Sequence, residues 1–275
     1  MVGKLFAVTL LSLILLGSAT SVFAANKVEV HWLGHATVKL TSVDGKVIVI
    51  DPFLKGNPKT PEKYKDLKSL GKVDVILVTH GHPDHTADVS ELAKLTGAKV
   101  IANAELVRQM AAVGKLDKNQ VIAMNKSGFV QPVGDKIKIN MVPAEHSSSL
   151  NMAQLSGGKA KEQYVSAGEP VGYVIEFENG FKVYHSGDTG VFGDMALIGK
   201  IYKPDLAMIS IGGHFTMDGE LAGYAMKELM KPKNVLPIHY GTFPILKGTP
   251  EQLKKALGKS PIKVIDLEPG GKISF

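Results

Sequence analysis

The sequence of 275 residues contains no cysteine. This absence excludes disulfide bonds and thiolate metal ligands, and it removes the residue that a lipid anchor at a signal-cleavage point requires. Any metal ion must therefore be held by histidine and carboxylate side chains.

Arginine is nearly absent too, since Arg108 is the only one although the formal net charge is +6. Nucleic-acid recognition favours arginine because its guanidinium makes bidentate contacts, and the lysines here are scattered rather than gathered into a stripe. We therefore expect no nucleic-acid partner. The lysines indicate a solvated surface that can attract a small anionic molecule.

The apolar run from Leu5 to Leu16 is shorter than the roughly 20 residues of a membrane-spanning helix. It follows Lys4 and precedes the small-residue ending at Ala24, an order typical of a secretory signal peptide. We expect residues 1–24 to be removed, leaving a periplasmic or secreted protein without a stable membrane anchor.

No tandem repeat or Ser/Gly linker divides the rest, which predicts one domain over residues 25–275. Apolar runs rich in β-branched residues predict strands at 28–32, 47–50, 73–78, 100–101, 137–142, 171–177, 181–184, 206–211, 235–238 and 262–265. Helical patterns occur at 88–95, 105–112, 221–230 and 250–257, the last with Thr249 as N-cap. This mixture predicts an α/β layered fold.

Three polar stretches, 54–72, 147–170 and 241–248, predict loops. Long loops in compact domains are either surface insertions or lids and binding loops. The sequence leaves open whether 147–170 closes over a site.

Several predicted strands end in a residue that can bind metal: His80, His146, Asp188 and His239. Layered α/β folds build their sites at the carboxyl ends of strands, because rigid strands bring distant segments to one crevice.

The hexapeptide His80-Gly-His82-Pro-Asp84-His85 adds four potential ligands in six residues, enough for two ions. We expect Pro83 to prevent regular helix, so that Asp84 and His85 are presented just beyond the first pair. Imidazole with carboxylate suits zinc, and also manganese or iron.

This His-x-His-x-Asp-His run, followed by a distant His, Asp and His, resembles the metallo-β-lactamase superfamily. Further motifs resemble its branch of metal-dependent hydrolases related to ascorbate-phosphate lactonase: Trp32-Leu-Gly-His35-Ala, Ile50-Asp51-Pro-Phe, Tyr184-His185-Ser-Gly-Asp188-Thr-Gly, Phe215-Thr-Met and Pro237-Ile-His239-Tyr-Gly-Thr-Phe. The resemblance covers essentially the whole chain after residue 24.

The resemblance implies a four-layer αββα sandwich holding two divalent ions. One ion would be bound by His80, His82 and His146, the other by Asp84, His85 and His239, and Asp188 would bridge them. Three protein ligands and a shared carboxylate leave each ion room for solvent, and a hydroxide between the ions would be the nucleophile.

Other residues have alternative roles. Asp51 either orients a ligand imidazole or is a turn carboxylate. His35 and His185 either support the site or are structural, and His31 is either solvent-facing or structural. His214, which departs from the family pattern, is a candidate for substrate binding or proton donation, and Tyr240 either donates to an oxyanion or packs.

These features predict hydrolysis of a small, anionic lactone, ester or phosphoester, with Asp84 orienting the nucleophile or moving a proton. The same scaffold also hosts β-lactamases and nucleases, so fold alone does not select the substrate. A metal-binding protein without turnover and a single-iron redox enzyme are further alternatives. A homo-oligomer is left open.

Overall fold

Two seven-stranded sheets stacked face to face organise residues 27–275, which are the residues that this computed structural model describes. The predicted signal peptide lies outside them. The first sheet has the order β16-β1-β2-β3-β4-β5-β6. Its strands are β1 (Glu29–Gly34), β2 (Thr37–Thr41), β3 (Val47–Ile50), β4 (Val75–Leu77), β5 (Lys99–Asn103), β6 (Val121–Met124) and β16 (Lys272–Ser274).

The second sheet has the order β15-β14-β13-β12-β11-β8-β7. Its strands are β7 (Phe129–Val130), β8 (Lys138–Pro143), β11 (Val171–Glu176), β12 (Lys182–His185), β13 (Leu206–Ser210), β14 (Asn234–Ile238) and β15 (Lys263–Val264). A separate hairpin pairs β9 (Ser149–Asn151) with β10 (Tyr164–Ser166).

The described residues form eight α-helices. They are α1 (Glu62–Lys65), α2 (Pro83–Thr86), α3 (Val89–Thr96), α4 (Ala104–Ala112), α5 (Met152–Leu155), α6 (Met195–Tyr202), α7 (Gly219–Tyr224), which continues as a π-helical segment over Ala225–Met230, and α8 (Pro250–Leu257). Short 3-10 turns occupy Leu67–Leu70 and Lys118–Gln120. In the described part of the chain, no helix combines the length and apolarity that crossing a membrane requires.

Burial of both faces explains why the strands are continuously apolar. In β3, Ile48 and Ile50 point into the core between the sheets, whereas Val47 and Val49 point toward the helices. Helices α3 and α4 close the first sheet, and α6, α7 and α8 close the second. This arrangement confirms the predicted four-layer αββα sandwich.

Helix α8 agrees with its predicted bounds. The Thr249 hydroxyl accepts from the backbone N–H of Gln252, whose side chain accepts from the Thr249 N–H, and Pro250 occupies the first turn. Helix α6 was not predicted, because Gly199 lowers the helix propensity of its centre. A Cβ on Gly199 would lie 2.3 Å from the Met230 carbonyl oxygen, so close packing against the π-helical segment requires glycine.

The expectation for Pro83 was wrong. Pro83 is the first residue of α2 and begins a helical turn that contains Asp84 and His85. Proline is compatible with this position because the first N–H groups of a helix have no intrahelical partner.

The predicted loops 54–72 and 147–170 contain short elements, whereas 241–248 has neither helix nor strand. His31 is buried at 2% exposure, and its ring lies edge-on to Tyr64 with 4.8 Å between centroids. Of the two roles left open for His31, the structural one therefore holds.

Acid should destabilise the fold partly through His31. Its burial, followed by the nearby Lys272 ammonium, lowers the pKa of His31 to about 4, against about 6.5 in an unfolded chain. As pH falls, the unfolded state binds this proton first, so the free energy of unfolding decreases between pH about 6.5 and about 4. We expect His31→Phe to remove up to about 3 kcal/mol of this loss.

Urea unfolding of both proteins at pH 7, 5.5 and 4.5 measures this contribution. The remaining histidines are common to both proteins and cancel in the difference. If the difference in free energy of unfolding between the wild type and His31→Phe does not change with pH, the role given to His31 is contradicted.

Candidate metal centre

The seven residues predicted as metal ligands lie together at one edge of the sandwich. Their ligand atoms, with those of His35, form three overlapping groups whose members lie within 4.8 Å of one another: His80, His82 and His146; His80, His85 and Asp188; and His35, Asp84, His85 and His239. The first sheet contributes the hexapeptide after β4, and the second contributes the residues after β8, β12 and β14. Distant strand ends therefore meet at one place.

The Asp188 carboxylate lies between the two predicted ligand sets. Its Oδ2 is 3.7 Å from His146 Nε2 and 3.1 Å from His239 Nε2, and its Oδ1 is 3.4 Å from His85 Nε2. One carboxylate thus faces histidines of both sets, which is the position required of a bridging ligand.

The second set and the shared Asp188 contain buried polar atoms without a hydrogen-bond partner among the described residues. They are His85 Nε2, Asp188 Oδ1 and both ring nitrogens of His239. Such atoms are costly in a protein interior unless an ion or another group satisfies them. Nitrogen and carboxylate donors of this kind suit a divalent transition metal, so the residues present fit the implied ions.

The electrostatics of the cluster also favour positive charge. Burial raises the pKa of Asp188, but the His239 and His85 imidazoles outweigh burial and hold that pKa well below its usual range. Burial alone would lower the pKa of His239, but the Asp188 carboxylate outweighs burial and raises that pKa to about 9. The carboxylates therefore favour positive charge on the side of His85 and His239, and bound cations can supply such charge.

Asp51 supports ligands of both sets. His85 Nδ1 donates to Asp51 Oδ2 over 2.8 Å, which directs Nε2 into the cluster. The Thr79 hydroxyl donates to the same oxygen over 2.7 Å and lies 3.0 Å from His80 Nδ1. These contacts are those of a residue that orients metal-binding imidazoles.

His185 supports the site through the backbone. Its Nε2 donates to the Ala36 carbonyl over 3.0 Å, and its Nδ1 accepts from the Gly187 N–H over 3.1 Å. Gly187 has φ +59°, and a Cβ there would lie 2.7 Å from the Thr79 side chain. His185 thus fixes a turn that only glycine can form and that places Asp188.

Two predicted catalytic residues are not joined to the cluster. The exposed His214 ring makes no hydrogen bond or ion pair within residues 27–275 and lies 4.4 Å from the Phe215 ring. Tyr240 stacks on Trp32 at 5.5 Å, so packing is the role that the structure favours for it.

The two ends of the segment 147–170 lie beside the metal centre. The Gly81 N–H donates to Ser148 Oγ over 3.2 Å, and a Cβ on Gly81 would lie 2.5 Å from the Ala167 side chain. This contact places the base of the β9–β10 hairpin directly beside the hexapeptide.

Comparison with known proteins assigns the family. The family model described as Beta-lactamase superfamily domain matches residues 46–240. A UPF0173 metal-dependent hydrolase of Cupriavidus necator is 50% identical over 253 residues, covering 91% of this chain and 87% of that protein. The chain belongs to the UPF0173 metal-dependent hydrolases of the β-lactamase superfamily.

A second relative and a solved structure have similar descriptions. A UPF0173 hydrolase of Rubrobacter xylanophilus is 46% identical over 227 residues, covering 82% of this chain and 87% of that protein. The solved structure of Igni18, a metallo hydrolase of Ignicoccus hospitalis, has a TM-score of 0.76 at 35% identity and covers 91% of this chain and 99% of that one.

Sequence reasoning missed two threonines of this UPF0173 hydrolase. Thr79 connects Asp51 to His80, and Thr242 lies 2.9 Å from His35 Nδ1. Thr79 directly precedes His80 at the end of an apolar run, and this adjacency was the signal available. Thr242 stands in the motif that begins at Pro237, but nothing local points to its partner His35, which is 207 positions away.

Replacing Asp51 by asparagine should weaken metal binding about 10- to 100-fold, the range typical of residues that orient metal ligands. The amide keeps the size of the carboxylate but replaces one acceptor oxygen by an NH2 donor. It therefore cannot accept from the Thr79 N–H at one position and from His85 and the Thr79 hydroxyl at the other. Chelator competition measures the affinity. Asp74→Asn is the matched control, because Asp74 accepts from the Val47 N–H at the opposite end of β4. Unchanged affinity in Asp51→Asn would contradict the supporting role.

Proposed function

We propose that this metal-dependent hydrolase works with two divalent ions, with zinc as the first choice and manganese or iron as alternatives. The observation that carries the proposal is the position of Asp188, whose two oxygens face histidines of both ligand sets. His80, His82 and His146 would hold one ion. Asp84, His85 and His239 would hold the other, with Asp188 shared.

Bound divalent ions would polarise a carbonyl or phosphoryl oxygen and lower the pKa of a coordinated water. The protein residues keep the ligands in place, as Asp51 does for His85 and Thr79 does for His80. Asp84 has the additional role of orienting the attacking water or moving its proton. Its side chain is 30% exposed, whereas that of Asp188 is 3% exposed, so Asp84 is the more accessible of the two to solvent.

The proposed substrate is a small lactone, ester or phosphoester that carries negative charge. The support is the lysine-rich composition, with a net charge of +6, together with the resemblance to ascorbate-phosphate lactonase. Export to the periplasm or the medium is part of the proposal and rests on the signal-like sequence of residues 1–24.

Metal analysis and a hydrolase screen test this proposal on protein purified from the periplasm. We expect two ions per chain. Asp188→Ala should lower the metal content and reduce hydrolysis at least about 100-fold, because both ions lose a ligand. Asp194→Ala is the matched control, since this carboxylate begins α6 without a side-chain capping bond.

An Asp188→Ala protein with full metal content and activity would contradict the proposal. One iron per chain would favour single-metal redox chemistry. A fully metal-loaded protein that is inert toward lactones, esters and phosphodiesters would favour a binding protein.

A further inference from the structure

His35 occupies a central position beside the second ligand set. It is fully buried and has φ +55°, a left-handed conformation that is uncommon for residues other than glycine. Its carbonyl oxygen accepts from Trp32 Nε1 and from the His239 N–H, both over 2.9 Å. These bonds fix the backbone of His35 relative to both sheets, since Trp32 belongs to β1 and His239 follows β14.

The His35 ring has a partner at each nitrogen. Nε2 lies 2.9 Å from Asp84 Oδ2, and Nδ1 lies 2.9 Å from Thr242 Oγ1. Because a carboxylate only accepts, Nε2 must carry the proton that is shared with Asp84. In a neutral imidazole, Nδ1 is then an acceptor, and the Thr242 hydroxyl is its donor.

The Thr242 hydroxyl is free to donate in this direction. Its other contact, to the Tyr240 carbonyl, is 3.5 Å long and therefore much weaker. The edges of two aromatic rings enclose His35, with Phe53 and Phe243 both 5.7 Å from its centroid. The nearest ring is the imidazole of His239, with 3.8 Å between centroids, and the full burial of His35 lowers the local dielectric and so strengthens its hydrogen bonds.

We propose that Thr242 and His35 form a positioning relay for Asp84. Thr242 donates to His35 Nδ1 and thereby fixes the orientation of the ring, and His35 Nε2–H holds Asp84 Oδ2 toward the second ion. This is the oxygen that lies 3.7 Å from His239 Nε2 and 3.9 Å from His85 Nε2. The relay rests on the proposed two-metal function and adds Thr242, which lies outside the predicted ligand set.

His35 acts in this relay as a hydrogen-bond donor and not as a ligand. Both of its ring nitrogens have hydrogen-bond partners, whereas the Nε2 atoms of His85 and His239 have none among the described residues. Asp84, His85, His239 and the shared Asp188 would already supply four ligands, so the second ion would not need His35 as a further protein ligand.

Two substitutions at position 242 test the relay. Thr242→Val removes the hydroxyl and keeps the shape, whereas Thr242→Ser keeps the hydroxyl. We expect Thr242→Val to bind the second zinc ion about 10- to 100-fold more weakly, with the first ion retained, and Thr242→Ser to bind both ions almost as the wild type does. Stepwise zinc titration against a chelator gives both affinities without an activity assay, and metal-free thermal unfolding checks that the variants fold.

Substitutions of His35 separate positioning from ligation and serve if Thr242→Val does not fold. His35→Gln keeps an N–H donor, so it should retain more of the second-ion affinity than His35→Ala. The relay would be overturned if His35→Gln and His35→Ala lost equal second-ion affinity, or if Thr242→Val and Thr242→Ser did. It would also be overturned if Thr242→Val kept the wild-type affinity. A wild-type protein that takes up one ion only would instead contradict the two-metal proposal itself, and the relay with it.

Discussion

The buried carboxylate of Asp188 is the constraint on which the rest of the site depends. A charge in the interior costs several kcal/mol unless it is paired, and here the pairing comes from imidazoles of both sheets. His146 and His239 follow strands of the second sheet, whereas His85 follows β4 of the first. The metal centre therefore forms only when the two sheets stack. The turn at Gly187, which has no room for a side chain, places Asp188 between them.

The backbone around the centre is held in uncommon conformations. His35, Asp51 and His239 have φ values of +55°, +47° and +56°, which non-glycine residues adopt only when the surroundings enforce them. Hydrogen bonds hold the backbone in these conformations: the Asp51 N–H donates to the Leu77 carbonyl, and the His239 N–H donates to the His35 carbonyl. These backbone bonds thus fix the positions from which the ligand side chains are presented, which is the preorganisation that a metal site requires.

The sequence was informative where local pattern and chemistry coincide. Apolar runs ending in His80 or His239 predicted both a strand and a ligand, and the superfamily resemblance supplied the layered sandwich. Prediction stopped where contacts between distant residues decide the outcome. Gly199 in α6 is favoured by its approach to Met230, and Thr242 reaches His35 across 207 positions. Hydrophobic periodicity reports which face a residue points to, but not which polar partner it finds there.

The most direct test of the two-metal centre is anomalous diffraction from crystals of the zinc-loaded protein. The account predicts two peaks roughly 3.5–4 Å apart, a separation typical of two-metal sites, with Asp188 contacting both. One peak should be bound by His80, His82 and His146, and the other by Asp84, His85 and His239. A single peak at full zinc loading, or two peaks of which Asp188 contacts only one, would contradict it.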